Sequence, residues 1–145
     1  MKKIILGLAV VSSLVYADYT RTQAGVVKDN KTHLEWQDNY SDNNGTIKVT
    51  SWSNAVKYCH ELNLDGGGWR LPNINELKSI IKDRVVGPTI DEVFENSESY
   101  NYYSSTTLAG GDSSFFWIVN FSNGNVLSHS NYSYNCNVRC VRAGQ

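Results

Sequence analysis

Proline and cysteine are scarce: the chain carries two of the first and three of the second in 145 residues. Two prolines exclude a proline-rich linker or polyproline II recognition segment. Three cysteines exclude the disulfide-dense scaffold of many small secreted modules. Excess positive charge is also missing. Lys and Arg total 13 against 14 Asp and Glu, with no basic stripe, so nucleic acid is not an expected partner. No apolar run reaches the ~18 residues that a membrane span needs. His33, His60 and His129 are scattered, with neither His-x3-His nor H-E-x-x-H spacing, so no metal site is expected. A G-x-S-x-G elbow is absent, which leaves a serine hydrolase unsupported. No motif calls for a cofactor, and no fixed-period repeat is visible.

What is present begins with an export signal. Lys2 and Lys3 precede the apolar run Ile4 to Val15, and Val15-Tyr16-Ala17 is a small-residue cleavage site. Residues 1–17 are therefore expected to be a signal peptide, leaving Asp18 to Gln145 as a single domain in the periplasm or outside the cell. Loss of Lys2 and Lys3 makes the formal charge of −1 two units more negative.

The mature segment reads as α+β. Gly25 to Lys28 and His33 to Trp36 flank the turn-rich Asp29-Asn30-Lys31-Thr32, an opening hairpin. Asp38 to Gly45 is polar and reads as a surface loop, without the D-x-[DN]-x-[DN]-G-x5-E calcium pattern. Thr50 to Leu62 reads as a helix capped by Thr50, with Trp52, Ala55, Val56, Cys59 and Leu62 on one face. Phe116 to Phe121 is the clearest strand, with Trp117, Val119 and Phe121 on its core side. Asn123-Gly124 then predicts a two-residue type I′ hairpin pairing Phe121 with Val126 and Asn120 with Leu127. Val138 to Arg142 reads as one closing strand.

The most distinctive stretch is Trp69-Arg70-Leu71-Pro72-Asn73, with Glu76 three residues after Asn73. Asn73 and Glu76 form a capping box, and Pro72 sharpens the helix boundary by disfavouring helix at Leu71. Ile74, Leu77, Ile80 and Ile81 share the following helix face. This motif is structural: Arg70 is expected to be a partly buried hydrogen-bond donor.

Three single pairings of Cys59, Cys136 and Cys140 are open. In an extended strand, positions 136 and 140 stand about 13 Å apart, beyond the ~7 Å bridging limit. Cys59 faces the core from a helix and Cys140 shares a strand face with Val138, so Cys59–Cys140 is favoured. Cys136 is then left over, free or paired between chains.

No nucleophile, base and orienter assemble, and the protein is not expected to be an enzyme. Asp91, Glu92, Glu95 and Glu98 are acidic neighbours, and paired carboxylates serve glycosidases, but a solvated face accounts for them. The last third of the chain instead mixes tyrosine with Ser, Asn and Gly, a recognition composition of rigid contacts and adaptable hydrogen bonds. Tyr100, Tyr102, Tyr103, Asp112, Asn131, Tyr132 and Tyr134 are the candidate ligand-binding residues.

The order of motifs resembles a known family. Val27-x-Asp29-x-x-Thr32-x-Leu34-x-Trp36 is followed by Trp52-x-x-Ala55-x-x-Tyr58-Cys59-x-x-Leu62 and Gly68-Trp69-Arg70-Leu71-Pro72. Then come Tyr103-Ser104-Ser105-Thr106, Trp117-x-Val119-x-Phe121-x-x-Gly124 and Val138-Arg139-Cys140-Val141-Arg142. Together they look like the family named after the C-terminal domain of the Legionella collagen-like adhesin. The resemblance implies a C-type-lectin-like fold shared with formylglycine-generating enzymes: two helices, small antiparallel sheets and long irregular loops. It also implies a bond from the first helix to the last strand and, for the adhesin, binding to sulfated polysaccharide. His33 stands where the family usually has glycine, and Tyr103 where tryptophan is usual. The collagen-like repeat and the Glu-Pro-Asn and Trp-Asn-Asp calcium-lectin signatures are absent. An acidic domain is also a poor match for a polyanion.

Three functions follow from these expectations. The first is a secreted binding or adhesion module for a polysaccharide or a cell-surface protein. The second is a periplasmic assembly protein that binds an envelope protein partner. The third is a relative of formylglycine-generating enzymes.

Overall fold

The computed structural model describes residues 18–82, 89–109, 115–130 and 134–144. The expected signal peptide, Asp112, Asn131 and Tyr132 lie outside the described residues. The fold is α+β, with two helices and two small, mainly antiparallel sheets.

The first sheet has four strands in the order β1-β2-β3-β9: β1 (Tyr19–Arg21), β2 (Val26–Asp29), β3 (Leu34–Gln37) and β9 (Val141–Ala143). The opening hairpin forms as the turn composition requires, with Asp29 Oδ1 accepting from the Lys31 and Thr32 amides. His33 takes a positive φ of 61°, a region that favours glycine, which accounts for the family's usual residue there. Its carbonyl accepts the Gly144 amide at 2.8 Å. A Cβ at Gly144 would stand 2.3 Å from that oxygen, so the close approach requires glycine.

The second sheet runs β4-β8-β5-β6-β7: β4 (Lys48–Thr50), β8 (Cys136–Val138), β5 (Asn101–Thr107), β6 (Phe115–Asn120) and β7 (Asn125–Ser130). Cross-strand register puts Tyr103, Phe116, Ile118, Leu127 and His129 on one face and Tyr102, Val119 and Val126 on the other. Helix α1 (Trp52–Glu61) covers part of the first face, with Trp52 stacked on Phe116 at 5.8 Å. Helix α2 (Ile74–Ser79) packs Leu77, with Ile80 just past its end, into a second cluster with Tyr102, Val119 and Phe121.

Several elements differ from the expectations. Thr50 ends β4, and α1 starts from Ser51 without a side-chain cap. Val56 is 38% exposed, because it sits roughly 80° around the helix from the centre of the Trp52–Ala55–Cys59–Leu62 stripe. The second helix stops at Ser79, since the chain turns extended to bridge Ile81 to Ile90. The β6–β7 turn spans four residues, pairing Asn120 with Asn125 and Val119 with Val126. Phe121 leaves the ladder because its backbone bonds to Tyr100 and Thr89 and its ring packs edge-on against Tyr102 at 5.0 Å. Trp117 is only half-buried, facing the small Ser128 across the ladder.

The closing segment is two strands in two sheets. Between β8 and β9, Arg139 and Cys140 cross from one sheet to the other. Cys140 is bonded to Cys59 across a Cα separation of 5.4 Å, tying α1 to this crossover. A closed loop of this length stabilises by about 4–5 kcal/mol in the chain-entropy account. Arg139 reaches Asp38 at 2.9 Å with both side chains fully buried. Asp38 is therefore no surface-loop residue, although Ser41 and Asp42 beyond it are exposed.

Arg142 binds Glu35 at 2.7 Å in a nearly closed site. The same guanidinium stacks on Trp69 at 4.4 Å and donates to the Asp65 carbonyl, pinning the Gly66-Gly67-Gly68 turn. The Trp69 to Glu76 motif is scaffold. Arg70 pairs its backbone with Val141 and clamps Glu76 through two bonds of 2.7 Å, and the Asn73–Glu76 capping box is complete.

Burial alone would raise Glu35 and Glu76, but hydrogen bonds from Arg142 and Lys28 to the first, and from Arg70 and the Asn73 amide to the second, outweigh it and hold both carboxyls below the usual range. Such groups stabilise the fold above the unfolded carboxylate value, and the contribution disappears as pH falls through the lowered folded value. The midpoint of urea unfolding should stay level from pH 8 to about 5.5 and fall steadily below about pH 4.5. An acid-independent midpoint in Glu35→Gln/Glu76→Gln would tie the fall to this pair; an unchanged acid slope would sever the link.

Candidate functional site

The site is built on the face of the second sheet that α1 leaves partly open. Tyr103 is completely buried on β5, its ring edge-on to Phe116 at 5.1 Å. Its hydroxyl donates to the Tyr134 carbonyl, which fixes the Tyr134 backbone against the sheet. The Tyr134 side chain is left 39% exposed, stacked with His129 at 4.5 Å between centroids. Tyr100 is 45% exposed, and the neighbouring Tyr134 hydroxyl, a hydrogen-bond partner, raises its phenol pKa. Leu127, 44% exposed, stands two residues before His129 on the same face of β7. Three of the exposed large apolar side chains among the described residues thus fall on Tyr100, Tyr134 and Leu127.

Amides flank the aromatics. Asn101, Asn120 and Asn125 stand opposite one another across β5, β6 and β7, forming a row on that same face. The buried Oδ1 of Asn101 has no hydrogen-bond partner among the described residues. The row contains no charged side chain. A face of rings and amides can stack on a flat apolar surface and exchange hydrogen bonds at its rim.

Of the residues expected to bind ligand, the structure brings Tyr100 and Tyr134 together at the surface. It moves Tyr102 and Tyr103 into the core, 1% and 0% exposed, because central strand β5 is covered on both faces. The Tyr102 hydroxyl is used internally, accepting the Glu98 amide at 3.1 Å. His129, Leu127 and the asparagine row were not among the expected residues. Their signal was the period-two pattern of β7, readable only once the register was known.

The remaining chemistry is quiet. A depression of about 310 Å3 lies over the opening hairpin, lined by Lys28, Asp29, His33 and Glu35; its Glu35 is already held by Arg142 and Lys28. Among the described residues no group of three His, Cys, Asp or Glu is placed to hold a metal. No helix among them is long and apolar enough to cross a membrane. Cys136 is a free thiol, buried on β8. Burial pushes it up to about 11, against a smaller opposing effect of the Tyr103 hydroxyl.

The sequence profile of the Lcl C-terminal domain matches residues 25–142. The chain belongs to the Lcl C-terminal domain family. No curated protein matches it. Within this family domain, the matched span runs from the opening hairpin to β9 and so contains the whole crossover, both helices and the aromatic face.

The disulfide and the buried thiol give a direct readout. Native protein at pH 8 should show no thiol reactive towards an aromatic disulfide reagent within minutes. One thiol per chain should appear in denaturant and three after reduction in denaturant. A rapidly titrating native thiol, or none in the unreduced unfolded chain, would contradict the assignment.

Proposed function

We propose that this chain is an exported, non-catalytic binding module of the adhesion type that recognises a neutral polysaccharide on a cell surface. The observation that carries the reading is the exposed Tyr100–Tyr134–His129 cluster beside Leu127 and the asparagine row. Sugar rings offer an apolar C–H face and a polar hydroxyl edge. Exposed rings bordered by amides complement both, and the exposed aromatics resist the entropy cost of binding because they have few rotatable bonds. Membership of an adhesin-derived domain family supports binding as the role. The Cys59–Cys140 bond fits an oxidising compartment. The lack of a lysine or arginine in the cluster separates this ligand from the sulfated polysaccharide of the family's adhesin.

A catalytic role in the manner of formylglycine-generating enzymes needs an accessible, activated thiol, whereas Cys136 is buried and its thiol is raised. A protein partner is the second reading, favoured by β7. This strand is a sheet edge among the described residues and carries no Lys, Arg, Asp, Glu or proline across Asn125–Ser130. Such an edge can accept an added strand from an envelope protein.

Glycan arrays and pull-down on intact cell envelopes test the proposal. Folded protein should retain neutral glycans, with little change between 50 and 500 mM salt because no ion pair is involved. Tyr100→Ala and Tyr134→Ala should each weaken binding about tenfold without altering the melting temperature by more than about 2 °C. Blank arrays and envelopes with well-folded protein would sink the reading. Capture of a stoichiometric protein partner that survives both substitutions would move the function to the β7 edge.

A further inference from the structure

Asparagine followed by any residue but proline and then Ser or Thr is the acceptor pattern for N-linked glycosylation. The chain contains it at Asn30, Asn39, Asn44, Asn120 and Asn131. Asn131 lies outside the described residues. Asn30 is exposed on the opening hairpin, but its side-chain nitrogen donates to Thr20 Oγ1 at 3.1 Å, and Lys28, not an acid, stands two residues before it. The fold closes Asn39 and Asn120. Asn39 donates to the Ala24 carbonyl at 2.9 Å and accepts the Ser41 amide, and the following Tyr40 is 1% exposed. Asn120 accepts the Ser122 amide at 2.8 Å and is followed by Phe121, also 1% exposed.

Asn44 combines exposure with a side chain that is not engaged and an acid two residues before it. It ends the short 3-10 turn Ser41–Asn43 with φ 56° and ψ 30°, and Asn44, Gly45 and Thr46 are all exposed. Its side-chain amide has no hydrogen-bond partner among the described residues. A Cβ built on Gly45 would meet nothing within 4 Å, so the turn projects into open space. Asp42 places an exposed carboxylate two residues before the acceptor, beside the Tyr58 ring. Asp42-Asn43-Asn44-Gly45-Thr46 thus reads D-x-N-x-T, an extended pattern that adds a charged handle for a transferase acting on folded, exported chains.

We propose that Asn44 is an acceptor for N-linked oligosaccharide, transferred from a lipid-pyrophosphate-linked donor after export. In the transfer, the Asn44 side-chain nitrogen forms a bond to C1 of the reducing-end sugar. The C1–oxygen bond breaks, its electron pair leaves with the lipid pyrophosphate, and the amide gives up one proton to the transferase. Presenting the acceptor requires local opening only. The Gly45–Tyr40 bond of 2.8 Å and the Thr46–Asn43 bonds of 2.9 to 3.3 Å break, while the ladders of β3 and β4 stay paired. The opened Thr46 hydroxyl is then available to the transferase, which accounts for Thr at this position.

The test is export of the full chain from two matched bacterial hosts that both make the lipid-linked donor, only one of which has an oligosaccharyltransferase. Intact mass and peptide mapping are read on the purified, folded protein. The transferase host should yield protein heavier by one donor oligosaccharide, mapped to Asn44, and the other host should yield the bare polypeptide mass. Asn44→Gln and Thr46→Ala should abolish the increment, Asp42→Ala should cut occupancy at least threefold, and Thr46→Ser and Asn39→Gln should retain it. A bare polypeptide mass for the folded wild-type chain in both hosts would overturn the proposal. So would a glycan mapped to Asn30, Asn39, Asn120 or Asn131 with Asn44 unmodified.

Discussion

The fold depends on a buried charge pair. Arg139 and Asp38 meet at 2.9 Å with no exposure on either side chain. Neither ion would tolerate that site alone, because an unpaired charge in the interior costs several kcal/mol. Each is instead surrounded by partners. Asp38 also binds Arg21 and accepts the Glu95 and Asn96 amides. Arg139 donates to the Gln37 and Asn96 carbonyls and lies over the Phe94 ring at 4.7 Å. Its Nε alone among these donors has no partner among the described residues. Four stretches distant in sequence, at Arg21, Asp38, Phe94 to Asn96 and Arg139, are therefore committed to one arrangement.

The closing motif Val138-Arg139-Cys140-Val141-Arg142 extends the same logic residue by residue. Val138 ends β8 in one sheet, and Val141 begins β9 in the other. Between them Arg139 secures the Asp38 cluster and Cys140 secures α1. Arg142 then holds Glu35 and the glycine turn that covers Trp69. The aromatic face sits on the sheet that this crossover organises. Tyr134 stands two residues before the start of β8, and its carbonyl is held by Tyr103 from β5. A rigid scaffold thus carries an exposed cluster made of a few side chains at strand ends, the arrangement expected when binding rests on loops and strand edges.

Local chemistry was legible in the sequence, and long-range choices were not. The Asn73–Glu76 capping box, the opening hairpin and the helical stripe through Cys59 depend on spacings of a few residues, and they appear as read apart from Val56, which leaves the stripe. The Cys59–Cys140 bond was favoured because the helical stripe and the face shared with Val138 aim both residues at the core, although Cys136 is equally buried. Asp38 was read as a loop residue because its partner stands about a hundred positions away, and nothing local marks a buried carboxylate. The β6–β7 register slipped by two because Phe121 packs on Tyr102 and Thr89 captures its backbone. Tyr102 and Tyr103 looked like Tyr100, since composition does not distinguish a tyrosine on a covered central strand from one just outside it. Half of the candidate site, Tyr100 and Tyr134, followed from composition, whereas His129 and Leu127 needed the register.

The central claim is that Arg139 and Asp38 act as one unit on which the crossover depends. A double-mutant cycle with Asp38→Asn, Arg139→Met and the pair, read by urea unfolding at pH 7, tests it most directly. The account predicts that each single substitution costs about 3–5 kcal/mol and that the double variant is no worse than either, a coupling of at least ~2 kcal/mol. Additive losses, with coupling within about 0.5 kcal/mol of zero, would contradict it.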